Sequence, residues 1–289
     1  MNRRLLWRVA RYSFAVAGIA FTAIALWQTW DRSRDSLLPD GVTLLISAAL
    51  VIAGLAAAGR SWLVLFAHGP GWRLVGSFYL AQLGKYIPGG GFWQAAGQVG
   101  MATAAGYQAS RVAGNFAVHA VIQFAAGAAL GGLLILNGEL PTWMRVTAGL
   151  GLLAPVLLHR SWMSAVLRRL GGLARLDFDE LAPPDQAAIV RSWAWAVACL
   201  LAYGLAYGLM VDSLENGAGF VYSIFAFSMA WAIGFALVPF PAGLGAREAA
   251  LIVFVGGSAA VVLAASIAFR LLAIIGELML ALGTRARRS

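Results

Sequence analysis

"LGKYIPGGGFWQ", Leu83 to Gln94, interrupts a long apolar stretch with the only lysine of the chain, a proline and three consecutive glycines. Proline removes a backbone donor and glycine carries no helical bias, so a helix reaching Lys85 is predicted to break beside Pro88 and Gly89. A second stretch repeats the pattern in the other half of the chain. "PFPAGLGAREAAL", Pro239 to Leu251, sets Arg247 and Glu248 directly after Pro241, Gly243 and Gly245. In lipid, backbone groups freed by such breaks are tolerated only against protein or a wet cavity. Two breaks, one per half, point to a transport site between pseudo-repeats, although no residue-level repeat is visible.

Composition sets the solvent. Hydrophobic residues make up 61% of the 289, charged residues 11%, and the mean hydropathy is +0.79. A soluble domain carries about a quarter charged residues, so this chain is read as a polytopic helical membrane protein. At about 20 residues per span it has room for about eight (seven to ten) segments, some broken or re-entrant, and for no soluble catalytic domain. A single transmembrane domain over 1–289 is expected. The one cysteine, Cys199, lies in an apolar run and supports neither a disulfide framework nor a thiolate metal site. The net charge of +9 comes from arginines at segment edges, which argues for topology signals and against nucleic-acid binding.

Apolar segments lie at 9–29, 42–59, 74–87, 92–106, 111–136, 146–159, 192–211, 219–238, 246–257 and 258–282. The first follows a basic start without a clear cleavage site and is read as a retained span. Arginines gather before residue 12, in a loop read at 160–191, and at the C-terminus. The 212–218 connection has Asp212 and Glu215 with no basic residue. Both termini are therefore expected in the cytoplasm, with the chain in the plasma membrane. The regions 74–110 and 239–257 must then return to the side they entered or form paired crossings. "GAALG" (Gly127, Gly131) and "GLAYG" (Gly204, Gly208) are small-residue pairs suited to close helix packing.

Ionisable groups inside membrane segments are costly unless paired or hydrated. Lys85, Arg111, Arg247, Glu248, Arg270 and Glu277 are the candidates. A helix starting after Gly245 would offer free N–H groups beside Arg247 as an anion site, with Lys85 as a second point charge. Glu248 would hold Arg247 or receive an amino group. Arg270 and Glu277, seven apart, share one helix face and read as a structural pair or interhelical tie. The three histidines lack carboxylate or cysteine neighbours at ligand spacing, and His119 reads as a packing residue. No metal or cofactor site is expected.

The two break motifs, in this order and separation, resemble the lysylphosphatidylglycerol synthase transmembrane-region family. This is the flippase-like membrane half of the multiple peptide resistance factor, and it also occurs as a stand-alone protein. The resemblance extends over essentially the whole chain in length and segment pattern. It implies a helical bundle that moves or handles phospholipids or polyprenyl-linked intermediates. Mapped by motif, Lys85, Tyr86, Pro88 and Gly89 fall in the first signature, and Pro241, Gly243, Gly245, Arg247 and Glu248 in the second. This chain has Gln98 where many relatives carry an arginine, which weakens the case for a strongly anionic headgroup. The aminoacyl-transferase half is absent, so the expected role is a transporter and not an enzyme. Its partners would be anionic or zwitterionic phospholipid, or a polyprenyl phosphate. The alternatives are an accessory subunit of a lipid-modifying or envelope-glycan enzyme and, less favoured, a polyprenyl-dependent glycosyltransferase.

Overall fold

Asp40 opens the first described helix: its carboxylate accepts from the backbone N–H of Val42 and Thr43, satisfying donors that a helix start leaves free. That helix, α1 (Gly41–Leu63), is followed by α2 (Trp72–Gln82), which tightens into a 3-10 turn at Leu83–Tyr86, and by α3 (Gly90–Thr103). Then come α4 (Ala109–Gly132), α5 (Thr142–Gly149) with a 3-10 extension at Leu150–Leu158, and α6 (Arg160–Ala174). The last four are α7 (Gln186–Leu214), α8 (Phe220–Ala236), α9 (Ala246–Val255) and α10 (Ala259–Ala286). The computed structural model describes residues 38–66, 72–86, 90–174, 183–215, 220–236 and 245–286, and among these there is no strand.

Among the described residues, four helices are long and apolar enough to cross a membrane: α1, α4 with its 3-10 end, α7, and α10. A fifth candidate is the pair Thr142–Leu158 and Arg160–Arg169, bent by 87°. The chain is thus a membrane-embedded helical protein, with apolar side chains such as Leu45 on α1 and Leu271, Ile275 and Met279 on α10 turned outward. The first expected segment, 9–29, and both chain termini lie outside the described residues.

Small residues let the helices approach. Along α1 and α7, Ser47 faces Ala206, Gly54 faces Tyr203, and Ser61 and Ser192 donate to one another's backbone carbonyls at 2.8 and 2.7 Å, so the pair is antiparallel. Both glycine pairs expected to pack do so, and against the same partner. Gly127 and Gly131 of α4 meet Ser228, Ala232 and Met229 of α8, while Gly204 and Gly208 of α7 meet Ile224 and Phe220.

Two helical hairpins enter this frame from opposite ends. In the first, Gly84 lies against Trp93 and Gln94, and Ala81 against Gly97, so α2 and α3 run back along one another. Its open end stands where α1 finishes, with Phe78 stacked on Trp62 and Tyr107 edge-on to Phe66. At about 1.5 Å per residue, neither arm spans the roughly 30 Å of a hydrocarbon core. In the second hairpin, α8 starts beside the end of α7, and α9 finishes where the Ser258 N–H donates to the Glu215 carboxylate. Between these ends, Arg247 reaches back over the rings of Phe227 and Trp231 on α8. Each hairpin thus begins and ends at the same end of the bundle.

One expectation needs correction. The stretch 160–191, read as a loop, holds the 15-residue helix α6 and the first turns of α7. Met163 and Leu167, one turn apart, are buried, while Trp162, Arg168 and Arg169 are exposed, which is an amphipathic helix across the bundle end. Scattered arginines hid that period.

Candidate functional site

The inner ends of both hairpins meet on one face of α10. Arg270 and Glu277 stand two turns apart there, roughly 10 Å along the axis, and do not pair with each other. Glu277 forms an ion pair with Lys85 of the first hairpin. Arg270 pairs with Glu248 of the second. The interhelical tie expected for these residues is therefore two ties, each fastening one hairpin to the same helix.

Glu248 is spent on structure. One carboxylate oxygen accepts from the Gly245 N–H at 2.8 Å, capping α9; the other accepts from Arg270 and from the Ser266 hydroxyl at 3.2 Å. Gly245 itself has φ +84°, a conformation that glycine adopts without the penalty borne by other residues. Sequence reasoning offered Glu248 as the partner of Arg247, but the geometry gives it Arg270.

Arg247 is left without a carboxylate. It is 5% exposed, and its guanidinium carbon sits 4.4 Å from the ring centroid of Phe227 and 5.2 Å from those of Trp231 and Phe269. Aromatic faces stabilise a cation by about 0.5–2 kcal/mol each, yet they accept none of its in-plane N–H bonds. Its Nε and Nη2 are buried with no acceptor among the described residues. Buried polar groups rarely stay unsatisfied, so these two nitrogens call for an acceptor that the described residues do not supply.

That spot opens into a cavity of about 340 Å³. Its polar lining includes Gln82, Lys85, Tyr86 and Gln94 from the first hairpin, Arg247 from the second, Arg270 and Glu277 from α10, His119 and Gln123 from α4, and Tyr203 from α7. The remaining walls are mainly apolar and aromatic. Phe235, 38% exposed, and the exposed Gly91 also line it, so it reaches the outer surface between α3 and α8. Lys85 Nζ stands 5.0 Å from the Tyr86 ring centroid, and Gln94 donates to Gln82 at 2.9 Å across the hairpin. Three cations (Lys85, Arg247, Arg270) meet two carboxylates (Glu248, Glu277), leaving one positive charge on Arg247.

Of the residues singled out from sequence, Lys85, Tyr86 and Arg247 share the cavity, Glu248 and Gly245 support it from behind, and Pro88, Gly89, Pro241 and Gly243 lie outside the described residues. Gln98 is buried but does not line the cavity, and its Oε1 has no partner among the described residues. His119, which also lines the cavity, contacts Gln123 at 3.2 Å and the edge of Phe78, the packing role expected of it. Arg270 and Glu277 were missed as site residues; their one-face spacing was visible, but their partners were not. No family model, curated protein or solved structure matches the chain.

Proposed function

We propose that the protein moves or handles phosphate-bearing lipids across the plasma membrane, without covalent chemistry. One observation carries the reading: Arg247, buried, caged by three rings and lacking acceptors, faces a cavity that opens sideways to the apolar surface. A lipid phosphate offers the acceptors and charge that Arg247 lacks, and its tails would remain outside between α3 and α8. Free anions would satisfy Arg247 equally, but the lateral mouth favours a ligand that stays partly in the bilayer. The resemblance to the lysylphosphatidylglycerol synthase transmembrane region supports the same reading, as do the four helices among the described residues that are long and apolar enough to cross a membrane.

Charge distribution supports an orientation. Arg60, Arg160, Arg168, Arg169 and Arg191 stand with Asp185 at the end where α10 finishes, whereas Asp40, Glu139, Asp212 and Glu215 stand with Arg145 at the other. The arginine-rich end and both termini then face the cytoplasm.

The test is leaflet exchange of fluorescent phosphatidylglycerol, phosphatidylethanolamine and polyprenyl phosphate in liposomes holding the purified protein. Protein-dependent exchange that fails in Arg247→Ala supports the reading and names the lipid class. Absence of exchange with every lipid, from folded protein, overturns autonomous transport and favours an accessory subunit.

A further inference from the structure

We propose that Glu277 is a proton site, and that capture of the anion at Arg247 and Lys85 is coupled to uptake of one proton by Glu277. This rests on the phosphate reading of Arg247 and adds its coupling ion.

The geometry makes the two members of the Lys85–Glu277 pair unequal. The lysine side chain is 20% exposed while that of Glu277 is 0% exposed, so an anion in the cavity meets the ammonium first. Lys85 also sits on a short 3-10 turn directly before the glycine-rich break, whereas Glu277 is fixed inside the long helix α10. The ammonium is thus the member free to change partner. Glu277 is already half-satisfied: its Oε2 is buried and has no hydrogen-bond partner among the described residues. When a phosphate oxygen draws Lys85 away, a carboxylate in a dry site loses its counter-charge. Protonation is the low-cost response.

No other carboxylate lines the cavity among the described residues. Facing Glu277 are Lys85 and Tyr86 from the 3-10 turn, and Tyr203 and Cys199 from α7. Arg270 lies on its own helix, and Arg247 and His119 stand across the cavity. From α1, Leu55 and Ala58 line the same cavity. Thus the cationic groups Arg270 and Arg247 oppose protonation of Glu277, and release of Lys85 removes the contact that opposes it most.

The step balances. The entering monoanion adds one negative charge, and the proton, taken from water onto Glu277 Oε2, adds one positive charge. Lys85 keeps its own protons throughout, so the buried site holds the same net charge empty and loaded. Were the anion to rest on Arg247 alone, Lys85–Glu277 would stay closed and no proton would move.

Calorimetric titration of the protein in uncharged detergent with dihexanoyl phosphatidylglycerol, in two buffers of different ionisation enthalpy at pH 7, separates these cases. This probe does not titrate near neutrality. Expected is uptake of about one proton per anion bound, and affinity falling by up to tenfold per pH unit across the range in which that proton is taken up. Glu277→Gln binds without uptake, while His119→Gln keeps it. Binding with no proton exchange in the unaltered protein overturns the coupling and leaves the phosphate reading standing, as does equal uptake in Glu277→Gln. Absence of binding, with dihexanoyl phosphatidylethanolamine and a short-chain polyprenyl phosphate titrated in the same way, overturns both. The unaltered protein decides the matter even where Glu277→Gln fails to fold.

Discussion

At the scale of single residues, the buried Arg247 and the partly buried Arg270 have opposite tasks. Arg270 neutralises Glu248, so Arg270→Met strands a buried carboxylate and is expected to cost about 3–5 kcal/mol. The double change Arg270→Met with Glu248→Leu recovers most of that loss, because an apolar pair leaves no unpaired charge. Thermal unfolding in detergent reads both values. Arg247 has no carboxylate to strand. Arg247→Ala is expected to leave the fold largely intact and lower lipid exchange more than about tenfold, since loss of one partner of a buried charged contact costs about 2–5 kcal/mol. Arg247→Lys keeps the charge but not the planar fork, and falls between. Lys85 and Arg247 were legible from sequence because each is a rare charge beside a helix break. The partnership of Lys85 with Glu277 was not legible, because 192 residues separate the two and many helix arrangements satisfy the same pattern.

Among the helices, close approach rather than charge decides stability. A Cβ built on Gly131 would lie 2.6 Å from the Met229 Cα, against backbone that has nowhere to move. Gly131→Val is therefore expected to separate α4 from α8 and cost more than the 1–3 kcal/mol typical of overpacking, about 4 kcal/mol or loss of folded protein. Gly100, on the exposed side of α3, meets nothing within 4 Å. Gly100→Ala should be neutral or stabilising by up to about 1 kcal/mol, from helix propensity alone. Size-exclusion profiles and melting curves of the two variants check the contrast. The existence of both breaks was legible because proline and glycine punctuate locally. That the hairpins insert from opposite ends was not, since nothing local records which end a short helix enters. Helix α6 was lost for a related reason: its arginines looked like loop charge, although Met163 and Leu167 at one-turn spacing carried the signal.

Over the whole molecule, the two ends differ in charge, and the orientation proposed from that difference can be tested directly. Cys199 is buried and is the only cysteine, so Cys199→Ser provides a clean background. In that background Glu139→Cys is expected to react with a membrane-impermeant maleimide added to intact cells. Ser164→Cys, on α6, is expected to react only after the membrane is opened. The reverse pattern would invert the orientation.

The spacing of Arg270 and Glu277 has a consequence for how such a chain can change over generations. Seven residues are close to two whole turns, so both charges look the same way. One inserted residue between them would swing Glu277 about 100° around the helix and uncouple the first hairpin, leaving the second fastened. Compensation would require a matching insertion in a hairpin whose reach is already fixed by its break. The short segment from Arg270 to Glu277 therefore behaves as a ruler, whose length is fixed by the two ties at its ends.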